Sequence, residues 1–208
     1  MGITQTFRLL ALLCLGAFLS GCAMFVEQPS YEIVRKDGDF ELRDYGSAIV
    51  AETRVDASLE EAGGQAFDRL FGYISGENRV EASISMTSPV TQTAASEEIE
   101  MTAPVEQWQT DSGWAVAFVM PSSYTLETLP EPTNPKVTLK TVPARRVAVI
   151  EYSGTWSEKR FQRHLDELEE WIAQERLKIA GQPVWARYNP PFTPWFLRHN
   201  EIMIPVQK

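Results

Sequence analysis

Three stretches near the start of the chain, Tyr31 to Arg35, Phe40 to Asp44 and Ala48 to Val55, alternate apolar and polar side chains, with Gly38 and Gly46 between them. A period of two marks half-buried strands, and gaps this short predict an antiparallel meander. The period then lengthens. Ser58-Leu59-Glu60-Glu61 is a capping box, in which the serine hydroxyl and Glu61 satisfy free N–H groups at a helix start. Behind it Leu59, Ala62, Ala66, Leu70 and Ile74 recur at helical spacing, Phe67 and Phe71 widen the stripe, and Gly76 is placed to end it. A second round follows: strands over Val137 to Val142 and Arg146 to Tyr152, a helix capped by Ser157 with Phe161, Leu165, Leu168 and Ile172 on one face, and a strand over Val184 to Tyr188. The order strand, strand, helix, strand thus occurs twice. It predicts an α+β domain with a duplicated β-β-α-β unit, although such alternation also arises by chance.

Between the two rounds lie a strong strand, Trp114 to Met120, and a doubled string, Met86-Thr87-Ser88-Pro89-Val90 and Met101-Thr102-Ala103-Pro104-Val105. Proline fixes its own φ and keeps the residue before it extended, so each copy belongs at a strand end or edge. A hairpin loop centred near Ala95 would set the two copies opposite each other. Their methionines then either converge on a metal or fill a gap at the rim, and a flexible thioether suits the second role better.

The first 21 residues hold one positive charge, Arg8, and the apolar run Leu9 to Phe18, which is too short to span a bilayer but suits a signal peptide. The junction Leu19-Ser20-Gly21-Cys22 reads as a bacterial lipobox, so Cys22 becomes the lipidated first residue and 22–30 a tether. Ala23, rather than an aspartate, after that cysteine is the pattern of lipoproteins exported to the periplasmic face of the outer membrane. Processing removes Cys14 and consumes Cys22, which leaves no thiol for a disulfide, a metal or a nucleophile. The remaining 187 residues (208 − 21) suit one core. They carry 18 basic against 28 acidic side chains, a formal charge of −10, which argues against nucleic acid and against charge-driven binding to anionic lipid.

Candidate chemistry is sparse. There is no Gly-x-Ser-x-Gly elbow, P-loop, dinucleotide fingerprint or His-Glu-x-x-His, and no Cys-x-x-Cys-His for covalent haem, so an enzyme is not expected. His164, three residues before Glu167, is expected at a solvated helix boundary. Residues 188–201 form a stiff loop rich in proline and aromatic side chains. It leads into a last strand with Ile202, Ile204 and Val206 on one face and His199, Glu201 and Met203 on the other. Glu201 there is either a pocket residue or a strand-end surface charge. Since carboxylates are seldom fully buried, the surface is the expectation.

The doubled Met-Thr-x-Pro-Val, together with Tyr73-Ile74-Ser75-Gly76-x-Asn78, Met120-Pro121-Ser122-Ser123-Tyr124 through Pro130 and Pro132, and Arg198-x-Asn200-Glu201, resembles the SOUL haem-binding family over Tyr31 to Val206. The resemblance implies a distorted antiparallel β-barrel flanked by two helices and a non-covalent haem b or related tetrapyrrole. It implies a ligand patch of Phe67, Leu70 and Phe71 on the first helix with Pro190, Phe192 and Phe196 of the late loop. Some members use a histidine in the early strands, but Tyr31 to Val55 has none, so the iron ligand stays open: His199 is the candidate, and a strand-end histidine hydrogen-bonded locally is the alternative. A module for another apolar small molecule, or an envelope protein that contacts only other proteins, are the alternatives.

Overall fold

A computed structural model of the chain describes residues 26–80 and 96–208. The leader, Cys22 and the first copy of the doubled string lie outside the described residues. So does the pairing expected between the two copies.

The meander forms as the alternation predicts: β1 (Tyr31–Asp37), β2 (Phe40–Tyr45) and β3 (Ala48–Val55). α1 (Leu59–Ile74) starts at Ser58, whose hydroxyl accepts from the Glu61 N–H at 3.4 Å and donates to the Glu61 carboxylate at 3.0 Å. Gly76, at φ +106°, turns the chain just beyond the helix. Then come β4 (Asn78–Arg79), β5 (Val105–Thr110), β6 (Gly113–Val119), β7 (Glu131–Pro132), β8 (Val137–Val142) and β9 (Arg145–Tyr152). α2 (Glu158–Gln174), β10 (Val184–Arg187), a 3-10 turn (Trp195–Leu197) and β11 (Asn200–Val206) complete the chain.

Nine strands make one antiparallel sheet in the order β1-β2-β9-β11-β10-β5-β6-β3-β8, and β4 pairs with β7 apart from it. The sheet curls, but its ends do not meet among the described residues, so the closed barrel implied by the resemblance becomes a half-barrel. The end strands suit an edge. β1 is exposed along its length and carries Glu32, Arg35 and Lys36, charges that discourage further pairing. Its alternation therefore marks a strand without marking a buried face. With β2 exchanged for β8, β3 for β9, β5 for β10 and β6 for β11, the order from β2 to β8 reads the same from either end.

Both helices cover one face of the sheet. α1 buries Ala62, Ala66, Leu70 and Tyr73 against Ala51, Val116 and Phe118, while α2 buries Phe161, Leu165, Leu168 and Trp171 against Ala148, Ile150, Trp185 and Ile202. β11 alternates as expected: Ile202 and Ile204 face the helices, and Met203 faces away among Val147, Val149 and Ala186. The last residue of the second copy of the doubled string, Val105, begins β5, so this copy stands at a strand end. The Thr102 hydroxyl donates to the Val119 carbonyl, and the Ala103 N–H donates to the Glu27 carbonyl at 2.9 Å.

Candidate functional site

The face without helices has a floor of buried charge. Arg43, 2 % exposed, donates from Nε to Glu41 at 2.7 Å, pairs through Nη1 with Glu201 at 2.9 Å and reaches the Tyr45 hydroxyl at 3.0 Å. Glu201, 1 % exposed, also accepts from the Tyr188 hydroxyl at 2.7 Å and lies 3.0 Å from His199 Nε2. The expected surface placement of Glu201 is therefore corrected: a buried carboxylate is tolerated because Arg43, Tyr188 and His199 all engage its two oxygens. Burial alone would raise its carboxyl. The His199 hydrogen bond, the Arg43 charge and the Tyr188 hydroxyl outweigh that and hold it below the ordinary value. Glu106, near the same floor, has only Arg145 at 3.4 Å among the described residues, and burial raises its carboxyl. Beside this floor opens a cleft of about 510 Å³, lined by Tyr45, Ala48, Glu106, Tyr188 and Met203 and bordered by residues 27–30.

Glu151, His199 and Glu201 bring ligand atoms within 4.8 Å of one another, the spacing of a metal site. The Arg43 guanidinium already supplies the cation there.

His199 stacks on Tyr188 at 4.2 Å on this floor, on the face away from the helices. The structure thus separates it from Phe67 and Phe71. His164 is corrected as well. It is buried, stacks on Tyr152 at 4.1 Å, and has one ring nitrogen 2.7 Å from Glu167 and the other 2.7 Å from Arg163. Burial lowers its pKa. The stripe widened by charged neighbours concealed this, because position 164 falls on the α2 face turned to Tyr152.

On the helix-bearing side, Phe67 is half-buried against Phe118 and stacks on the exposed Phe71 at 5.6 Å. Leu70 is fully enclosed and belongs to the core beneath them. Gly63, Phe67 and Phe71 follow one stripe of α1, and Gly63 meets the guanidinium of Arg187, where a Cβ would lie 2.7 Å from Nη2. Arg187 donates to the Gln107 amide oxygen at 2.6 Å, and Gln107 donates to the Leu59 carbonyl at 2.9 Å, which ties β10 to the start of α1. Desolvation lowers the pKa of Arg187 to about 10.

Beyond Arg187 stands Trp156, whose Nε1 donates to Asn200 at 2.7 Å and whose ring lies under Arg198 at 4.3 Å. Arg198 donates to the carbonyls of Thr193 at 2.8 Å and Pro191 at 2.6 Å. It thereby fixes the loop that displays Phe192, Trp195, Phe196 and Leu197 at 85, 57, 59 and 64 % exposure. Pro190 is exposed beside them. An exposed run of this kind is unusual outside a contact surface. Trp195 and Leu197 were not singled out by the sequence, although both stand within the loop that was.

The motifs behind the resemblance turn out to hold the domain together. Asn78 donates to the carbonyls of Tyr73 and Glu97, both at 2.8 Å, and accepts from the Glu97 N–H at 3.0 Å; the Tyr73 hydroxyl donates to the Pro130 carbonyl at 2.9 Å. Within Arg198-x-Asn200-Glu201, Arg198 holds the loop, Asn200 holds Trp156 and Glu201 holds Arg43.

Comparison with known proteins closes the description. The sequence pattern of the SOUL heme-binding protein family matches residues 26–205. Heme-binding protein 2 of Homo sapiens is 28 % identical over 200 residues, covering 93 % of this chain and 92 % of that one. Heme-binding protein 1 of Xenopus tropicalis is 26 % identical over 174 residues, covering 79 % and 87 %. Among solved structures, the C-terminal domain of EcmrR aligns with a TM-score of 0.57 at 11 % identity, over 86 % of this chain and 98 % of that one. A hydrolase from Listeria innocua aligns with a TM-score of 0.55 at 14 % identity, over 84 % and 94 %. At such identities these two similarities concern the fold alone.

Proposed function

The chain belongs to the SOUL heme-binding protein family, and from that premise we propose that it is a non-catalytic, non-covalent haem or tetrapyrrole carrier of the bacterial envelope. The ring lies against Phe67 and Phe71 of α1 and the loop aromatics Phe192, Trp195 and Phe196. The observation that carries this reading is the exposed aromatic run, held on a loop that two Arg198 hydrogen bonds make rigid. A flat apolar ligand buries such side chains with little ordering cost. The fit is to the ring. Neither histidine stands on this patch with a free ring face: His164 has both nitrogens engaged, and His199 belongs to the opposite side of the sheet. Binding by apolar contact, without a histidine ligand from the patch, follows.

Titrating the purified protein with haemin is expected to give a saturable Soret shift. Phe71→Ala combined with Trp195→Ala should weaken it about tenfold or more, since each ring removes roughly 1–2 kcal/mol of apolar contact. No saturable shift in the parent protein overturns the reading. A second reading, a pocket for another apolar small molecule, draws on the 510 Å³ cleft. A shift abolished by the cleft-filling Ala48→Trp and untouched by the Phe71/Trp195 pair would move the site there.

The envelope address rests on the lipobox at Cys22. Expressed in a bacterium that processes lipoproteins, the parent protein should partition with outer membranes, and Cys22→Ser should release it to the soluble fraction. Equal partitioning of the two would overturn the anchor. The palindromic strand order is what supports descent from a duplicated unit, enlarged here to β-β-α-β-β.

A further inference from the structure

We propose that residues 190–197, the tip of the hairpin between β10 and β11, are a membrane-docking loop that seats Phe192, Trp195 and Leu197 in the headgroup layer of a neutral bilayer. This goes beyond the tetrapyrrole reading, which uses part of the same loop and needs no membrane.

The loop shows more apolar surface than one flat ligand covers. Trp195 and Phe196 meet edge to face with ring planes 86° apart, so a ring stacked on one meets only the edge of the other. Phe192 and Leu197 are the most exposed of its apolar side chains. Whatever buries the whole run must close round the tip, as a lipid surface does. The backbone of the tip suits that surroundings, where an unpaired N–H or C=O is costly. Pro190, Pro191 and Pro194 bring no N–H. The Thr193 N–H donates to the Pro190 carbonyl at 3.0 Å, and the Leu197 N–H donates to the Pro194 carbonyl at 2.9 Å, which makes two successive turns. The Pro191 and Thr193 carbonyls accept from Arg198. The loop thereby meets lipid with much of its polar backbone already engaged.

Charge and placement agree with this. The chain has a formal charge of −9, yet residues 188–199 include no acidic side chain, and Arg198 and His199 stand at the base of the tip. Tryptophan beside arginine is the composition of a membrane–water interface. Arg187, the last residue of β10, pairs with Asn200, the first of β11, and with Val105, the first of β5. Two positions before Val105, the Ala103 N–H holds the Glu27 carbonyl at 2.9 Å, with Val26 and Met101 exposed close by. The loop and the N-terminal segment therefore leave the same end of neighbouring strands. Ahead of Glu27 the sequence carries the lipobox, so both contacts would reach one bilayer, and membrane contact is firm where two such signals act together.

The test places an environment-sensitive fluorophore at Phe192→Cys or, at the opposite end of β11 beside Val206, at Ile179→Cys; the unsubstituted protein put through the same labelling is the blank. The protein is mixed with phosphatidylcholine vesicles that carry a lipid-borne quencher. The label at 192 is expected to shift to the blue and to be quenched about threefold or more beyond the label at 179. Leu197→Asp, a change at an exposed side chain, should abolish that difference. Equal quenching at 192 and 179 in protein that floats with the vesicles overturns the docking loop and leaves the Cys22 anchor standing. Protein that does not float overturns both. A label at 192 already shielded from iodide without vesicles would seat the loop on another copy of the chain and overturn the proposal, as would quenching untouched by Leu197→Asp. The haemin titration of the same protein is read separately, so the tetrapyrrole reading stands or falls on its own.

Discussion

Replacing Arg43 with methionine is expected to cost about 3–5 kcal/mol of folding stability, as measured by urea denaturation, because it leaves Glu41 and Glu201 charged and buried without their shared cation. Glu201→Gln should cost a comparable amount for the mirror reason. The double variant should cost clearly less than the sum of the two, since neither an uncompensated cation nor an uncompensated anion remains at that contact. Additive costs would mean that the pair is not coupled as its 2.9 Å separation requires.

The same floor sets an acid limit. Glu41 and Glu201 both have carboxyls held below the ordinary value of 4.5; for each, burial raises and is outweighed, by Lys36 and Arg43 at Glu41 and by His199, Arg43 and Tyr188 at Glu201. A carboxyl lowered in the folded state contributes its full stabilisation above the unfolded value and loses it as pH falls toward the folded one. The contribution of these two carboxyls should therefore be level above about pH 5 and decline below it. In Arg43→Met, which has already lost much of that shift, the decline should be shallower.

The second large effect is expected at Trp185. It is 1 % exposed, packs on Phe161 at 5.5 Å and carries Arg187 on its other side. Trp185→Ala removes one of the largest enclosed side chains and leaves a cavity between sheet and α2, at a cost of about 3–5 kcal/mol. A fall in melting temperature on the order of 10 °C is the corresponding calorimetric result. Trp185→Phe, which refills most of the volume, should recover at least half of that. Should Trp185→Ala melt within about 2 °C of the parent, the junction between β10 and α2 would not be the packed centre described here.

How much of this was legible follows from which residues report their own surroundings. β3, β8 and the stripes of both helices declare themselves by period, because burial on one face leaves the other free to be polar. The glycine at 76 and the serine at 58 act through local backbone geometry, which the sequence carries whole. β5 was not predicted as a strand. Val105-Glu106-Gln107-Trp108-Gln109-Thr110 reads as polar, yet Glu106 and Gln107 are buried, and what makes that tolerable is Arg145 and Arg187, about 40 and 80 positions away. The buried state of Glu201 escaped in the same way, since its partners are on β2 and at Tyr188 and nothing near it in sequence announces them. Of the candidate site, Phe67, Phe71 and the loop aromatics could be singled out by type and spacing. Their relation to Arg187 could not, because it depends on α1 and β10 meeting across the sheet.

The hydrogen bonds made by Glu27, whose carbonyl accepts from Ala103 and whose carboxylate accepts from the Ser122 N–H at 2.8 Å, fasten the chain to the domain well before Tyr31. Only four residues then separate Glu27 from the proposed anchor at Cys22, and even fully stretched those five backbone steps reach roughly 17 Å. A lipidated protein built this way is on a short leash. The domain would then work within roughly 17 Å of the bilayer surface, so that an apolar ligand leaving or entering the membrane would cross little open water.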